Sequence, residues 1–133
     1  MALLLDSNIL IYFFKNAGAV RSHVAQCKDI DIKLCTPVLW ELLTGAFKSQ
    51  DPRSQMARLE AVKTRFDVLP FDLAAARHAA KARAHLERQG TPIGPVDTMI
   101  AGIALSQNLT VVTRNTREFE RIPGLRVENW HDA

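Results

Sequence analysis

Short apolar runs alternate along this chain with longer segments of helical periodicity. Ala2 to Leu5 is a continuous apolar run followed by Asp6-Ser7-Asn8, which predicts a buried strand of a parallel sheet entering a helix near Ile9. That helix carries Ile9, Leu10, Tyr12 and Phe13 and fades near Lys15; Gly18 marks a break before a second helix over 20–28. Ile32 to Cys35 predicts another strand, and Thr36-Pro37 starts a helix with Thr as cap and Pro in the first turn. Its apolar face is read as Val38, Leu39, Leu42, Leu43, Ala46 and Phe47. Asp51-Pro52 repeats the cap-then-proline signal for a helix reaching about Arg65, with Met56, Leu59 and Val62 inward. Phe66 to Leu69 is a third strand closed by Pro70, and Asp72 caps an alanine-rich helix that stops at Gly90. A loop to Pro95, a helix over 96–107, a strand over 109–112, a turn or short helix over 113–120 and a short edge strand at 126–128 complete the pattern. Alternation of this kind predicts an α/β fold, a three-layer α/β/α sandwich around a mostly parallel sheet, with residues 1–133 as one domain.

In such a sheet ligands bind at the carboxyl edge of the strands. Asp6 follows the first strand, Glu41 lies in the helix after the second, and Asp97 opens the helix before the fourth. Asp6 alone reads as a helix cap, but Ser7 and Asn8 can cap as well, which leaves Asp6 free. Glu41 borders an apolar face, and Gly45 leaves space one turn on. Asp97 is the one charge on an otherwise apolar helix, where the dipole also favours it. Carboxylates gathered on one edge repel unless a cation lies between them. Oxygen donors of this kind suit Mg2+ or Mn2+ acting on an anionic substrate.

Composition narrows this reading. Net charge is only +3, but acids drawn into one pocket leave the remaining surface more basic, as nucleic acid requires. Cys27 and Cys35 match no zinc or redox spacing and read as packing residues in a reducing cytoplasm. His23, His78, His85 and His131 are scattered, so neither a zinc cluster nor histidine-based ribonuclease chemistry is expected. The apolar N-terminal run is interrupted by Asp6 and is too short to span a bilayer, so no membrane association is expected.

Four segments carry a resemblance. Leu4-Leu5-Asp6-Ser7-Asn8-Ile9-Leu10-Ile11 resembles the first motif of PIN-domain nucleases. Glu41-Leu42 with Gly45-Ala46 resembles their second, and Pro92-Ile93-Gly94-Pro95-Val96-Asp97 with Ile100-Ala101 their third. The stretch from Val112 to Leu125, with Glu128-Asn129-Trp130, resembles the C-terminal motif of VapC-type toxins. The resemblance spans nearly the whole chain in order. It implies a PIN-like fold and a metal-dependent endoribonuclease, the toxin of a type II toxin–antitoxin pair. It further implies a small VapB-like antitoxin as partner, transfer RNA or other structured RNA as substrate, Mg2+ or Mn2+ as cofactor, and a homodimer. Carried over by position, Asp6, Glu41 and Asp97 hold the metal, while Ser7, Asn8 and Thr113 support them.

Asn115 stands where many PIN nucleases carry a fourth acid, as it does in VapC relatives; its amide oxygen adds no charge, which disfavours a second metal. Glu118 or Glu120 can substitute, although either also reads as a solvated helix charge. Lys48, Arg114 and Arg117 are candidate RNA contacts, with Arg83 and Arg88 as further ones on the long helix. The aromatic run Tyr12-Phe13-Phe14 suggests an exposed patch for the antitoxin or a second copy, or else closely packed helices. The rival functional reading is a catalytically inactive PIN-like module that binds RNA or protein without cutting.

Overall fold

The structure, a computed structural model, describes residues 2–132. Five parallel strands form one sheet: β1 (Leu3–Leu5), β2 (Ile32–Cys35), β3 (Asp67–Leu69), β4 (Thr110–Val112) and β5 (Arg126–Glu128). Their order is β3-β2-β1-β4-β5, and every pairing is parallel, where the sequence predicted mostly parallel. The helices are α1 (Ser7–Lys15), α2 (Val20–Gln26), α3 (Thr36–Lys48), α4 (Pro52–Arg65), α5 (Leu73–Arg88), α6 (Pro95–Gln107) and the short α7 (Thr116–Phe119). Right-handed crossovers from β1 to β2 to β3 place α1–α4 on one face, and the return to β4 and β5 places α5–α7 on the other.

The central strands are buried on both faces, with Leu4, Leu5, Leu34, Val111 and Val112 at 1% exposure or less. This is why β1 reads as an unbroken apolar run. The predicted caps at Asp51 and Asp72 accept backbone N–H groups from Ser54 and Ala75. One predicted cap and one predicted helix end differ. Cys35, not Thr36, precedes α3; Thr36 lies inside the helix, and its hydroxyl accepts the Phe71 N–H at 3.3 Å. α2 ends at Gln26 and gives way to a 3-10 turn, Asp29–Asp31.

The largest departure is on α3. Val38, Leu39 and Ala46 are buried, but Leu43 and Phe47 from the predicted inner face are exposed, as is Trp40. Three-residue and four-residue spacing puts Trp40, Leu43 and Phe47 on one outward stripe. Tyr12, Phe13 and Phe14, by contrast, are half-buried against the core, with Arg21 over Phe13 and Arg114 over Tyr12. The most exposed large apolar side chains of these two helices, Trp40 and Phe47, are therefore on α3, while α1 exposes Ile11 only to the degree of Leu43.

α5 and α6 meet without space for a side chain at Gly102. A Cβ there would lie 2.5 Å from the Ala75 carbonyl oxygen and 2.6 Å from the Ala79 Cβ. Backbone and a methyl cannot swing aside as a flexible chain would. Gly102→Ala is expected to cost roughly 2–3 kcal/mol of stability in urea unfolding, by overpacking. Gly18 is fixed in a different way: its φ is +61°, and its backbone lies against His131. Ala19 N–H donates to the His131 carbonyl at 3.1 Å, and the His23 ring stacks on Trp130, so the C-terminal segment is tied to the start of α2.

Candidate active site

Parallel pairing sets the first two site residues side by side. Leu5 pairs with Val112, and Asp6 N–H continues that ladder to the Val112 carbonyl at 2.9 Å. Asp6 and Thr113 are the next residues on each strand, at the carboxyl edge where the chain direction switches between β1 and β4. Their side chains meet: the Thr113 hydroxyl donates to Asp6 Oδ2 at 2.7 Å, in a buried bond. The same hydroxyl oxygen accepts the Asn115 N–H at 2.9 Å, which holds the chain after β4 over the edge.

Asp6 is not free of capping. It is itself the cap of α1, which opens at Ser7 and not Ile9, and its Oδ1 accepts the Ser7 N–H at 2.7 Å. The expectation that Ser7 or Asn8 would cap fails because the first turn needs an acceptor one residue earlier. Those two side chains serve elsewhere. The Ser7 hydroxyl donates to Glu41 Oε1 at 2.5 Å, bridging α1 to α3. Asn8 Oδ1 accepts the Arg114 N–H at 3.3 Å, bridging α1 to the loop after β4. Gly45 leaves open space beside the exposed Glu41.

Asp97 enters from the other face of the sheet. Ile100, Ala101, Ile103 and Ala104 anchor α6 in the core and hold its first turn at the same edge. Burial pushes the Asp97 carboxyl up to about 7, with the charges of Asp6, Glu118 and Glu41 and a hydrogen bond with Glu118 acting in the same direction. Burial also raises Asp6, against the bonds from Thr113 and Ser7, and Glu41 and Glu118 add to the rise. Four carboxylates from four different helices or strand ends thus act on one another across a single edge.

Glu118 is the residue whose place the sequence left open. The buried Phe119 anchors the short α7, and the preceding Glu118 is turned toward Asp97, while Glu120 stays exposed. Among the described residues no three of His, Cys, Asp and Glu close into a ready cage for a metal. The electrostatic coupling and the open arrangement agree if repulsion spreads the carboxylates around a space. Such a space is typical of sites that water and substrate phosphate complete.

Cys35 ends β2 next to this cluster. Burial, with the charges of Asp6 and Glu41, pushes its thiol up to about 12, so it is an inert packing group. Of the three predicted RNA contacts, Arg114 is the most constrained. Its Nη1 donates to the Tyr12 hydroxyl at 3.1 Å, and its Nε lies 3.6 Å from Asp132 Oδ1. Arg117 is exposed on α7. Lys48 sits on the last turn of α3, about 10 Å of helix rise from Glu41 and toward the opposite edge of the sheet.

Comparison with known proteins agrees with this architecture. The family model described as PIN domain matches residues 3–125. The chain is 46% identical over 127 residues to the tRNA(fMet)-specific endonuclease VapC of Shigella flexneri, covering 96% of each chain. It is 44% identical over 130 residues to the protein of the same name from Salmonella typhimurium, again covering 96% of each. Among solved structures, DNA-bound VapBC from Salmonella typhimurium superposes with a TM-score of 0.91 at 43% identity, over 98% of each chain. VapBC2 of Rickettsia felis bound to a promoter DNA fragment gives the same TM-score at 32% identity, over 98% of this chain and 99% of that one. The chain belongs to the PIN-domain family and, within it, to the VapC ribonucleases.

Proposed function

We propose that this protein is a Mg2+- or Mn2+-dependent endoribonuclease, the toxin of a type II toxin–antitoxin pair, with transfer RNA as its substrate. The observation that carries this reading is the placement of Asp6, Glu41, Asp97 and Glu118 near the switch point of the sheet, close enough for the charges of Glu41 and Glu118 to add to the rise that burial gives Asp6 and Asp97. A hard divalent cation relieves both effects, and the donors on offer are all oxygens. Asp6, Asp97, Glu41 and Glu118 would hold it. When bound, such a cation supplies Lewis-acid activation of water and neutralises charge on the phosphate.

The chain's own residues prepare this chemistry. Thr113 and the Ser7 N–H fix both oxygens of Asp6, and the Ser7 hydroxyl fixes one oxygen of Glu41. On this reading, burial and the hydrogen bond with Glu118 favour the protonated form of Asp97, and a bound cation would favour the ionised one. Asn115, held by Thr113, presents an uncharged amide at the rim. The Arg114 guanidinium, oriented by Tyr12 and Asp132, is placed beside the edge to take a phosphate flanking the cut.

Transfer RNA as substrate rests on the names of the Shigella and Salmonella relatives. An antitoxin partner rests on the VapBC complexes that this chain resembles. The outward stripe Trp40, Leu43 and Phe47, with the neighbouring groove between Ile11, Phe14, Leu42 and Leu59, supports a VapB-like partner and a homodimer as its occupants. Among the described residues no helix is long and apolar enough to cross a membrane.

The direct test is cleavage of total transfer RNA by the purified protein with Mg2+ or Mn2+. Fragments are expected to carry 5′-phosphate and 3′-hydroxyl ends. Cleavage that persists in excess EDTA, or fragments with 2′,3′-cyclic ends, would refute the reading. Thr113→Val serves as a finer probe. It leaves Asp6 Oδ2 and the Asn115 N–H without their partner, and is expected to slow cleavage roughly 10–100-fold in initial-rate assays.

A further inference from the structure

α5 carries six basic or imidazole side chains and one acid, Glu87, and the acid is committed to Arg83 at 3.4 Å. His78, Lys81, His85 and Arg88 follow one another at spacings of three, four and three residues, so they lie on one side of the helix. Among the described residues none of these four side chains has a hydrogen-bond or ion-pair partner, whereas Arg83 on the same helix is paired with Glu87. Together they line a groove of about 270 Å³ whose floor and far wall are Ala82, Leu105, Ile122 and Pro123. No acidic side chain lines it. The far wall belongs to the turn that directly follows α7, the helix that delivers Glu118 to the acidic cluster.

We infer that this groove is a second RNA-binding site, in which the α5 stripe holds backbone phosphates while Leu105, Ile122 and Pro123 receive a base or ribose. The chemistry favours RNA over an acidic peptide or free phosphate. Lys81 and Arg88, seven residues apart on one helix face with His78 and His85 as hydrogen-bonding groups beside them, suit the repeating charge of a polynucleotide strand, and the apolar residues of the groove suit its unpaired bases. The inference builds on the ribonuclease reading and names where substrate beyond the cut is gripped.

The test uses full-length protein carrying Asp97→Asn, so that RNA is bound but not consumed, with fluorescently labelled total transfer RNA as probe. Lys81→Glu with Arg88→Glu reverses two charges in the groove. Lys28→Glu with Arg53→Glu makes the same change in net charge on exposed residues elsewhere. The groove variant is expected to lose at least tenfold in affinity at low salt, and its slope of log K against log salt is expected to fall by about 1.4–1.8, the value for two lost phosphate contacts. The control is expected to stay within twofold. Equal losses in both variants would show a general charge effect and overturn the inference, as would an unchanged affinity in the groove variant. Lys81→Gln with Arg88→Gln, expected to give a smaller loss of the same kind, guards against disturbance of α5, and circular dichroism checks the fold of each variant. Cleavage by the unmutated protein is scored separately, so absence of RNA cutting would defeat the proposed function while the binding arms still decide the groove.

Discussion

Asp97→Asn is expected to reduce transfer RNA cleavage by roughly 10³-fold or more, because it removes a negative ligand from the point where the other carboxylates converge. It is also expected to raise the thermal midpoint of the cation-free protein. The two effects share one cause. Asp97 is half-buried and feels the charges of Asp6, Glu41 and Glu118, so its ionised form costs folding energy that protonation offsets and that the proposed cation would offset too. A neutral amide of the same shape ends the repulsion and the cation affinity together. A residue conserving the fold would do the opposite, losing stability on substitution. Asp6→Asn should abolish activity to a similar degree but without the gain in stability. Its carboxylate accepts two hydrogen bonds, from the Ser7 N–H and the Thr113 hydroxyl. Asparagine keeps an acceptor for Ser7 but turns an NH2 group toward a hydroxyl that already accepts from Asn115. Differential scanning and initial-rate cleavage, run on both variants in parallel, separate these outcomes. A stabilised Asp6→Asn, or an Asp97→Asn that cuts at wild-type rate, would refute the assignment of roles.

The fold was legible where local chemistry and burial coincide. Asp51 and Asp72 cap helices in the structure as their spacing implied, since a cap depends on the few residues that follow it. Ile32 to Cys35 forms a strand with the predicted bounds, because its alternation puts Ile32 and Leu34 in the core while Lys33 reaches Asp67 on the next strand. What depended on neighbours distant in sequence was harder to read. Phe47 and Leu43 share helical periodicity with buried residues, and nothing local says that no element covers them. Leu73, next to a correctly read cap, is likewise exposed.

The site was legible to the same extent. Asp6 and Asp97 stand out because each sits where a strand ends or a helix begins, and Glu41, inside its helix, because it borders the apolar face one turn before Gly45. The double duty of Asp6, as both cap and site residue, was not, since it requires Thr113 from the far end of the chain. Glu118 shows the limit most clearly. On a four-residue helix it looks no different from Glu120, and only the burial of Phe119 decides which of them faces Asp97. A signal was available in the alternation itself: an acid directly before a large aromatic in a short polar stretch is the one whose direction the core can fix. The Tyr12 and Asp132 hold on Arg114 had no such signal, because it joins α1 to the C-terminal segment.

The same electrostatics predict how stability depends on pH and cation together. Asp97 titrates near 3.9 in an unfolded chain and about 7 in the folded protein. A raised folded pKa means that the neutral form is the one the fold favours. Its contribution is therefore fully present below about pH 4 and is lost as pH rises toward 7, and Asp6 adds a change of the same sign. Since Asp97 is only half-buried, solvent screening trims the effect, and the expected fall in thermal midpoint between pH 5 and pH 8 in EDTA is roughly 5 °C. Mn2+ binds the ionised carboxylates, so it should raise the midpoint more at pH 8 than at pH 5. Histidines and other groups also titrate in this range, but the difference between wild type and Asp97→Asn isolates the part due to this carboxyl. That difference should shrink as Mn2+ is added to the wild type at pH 8. A difference that ignores both pH and Mn2+ would mean that Asp97 neither feels its neighbours nor meets the ion, and the link between the strain of the empty cluster and its chemistry would be broken.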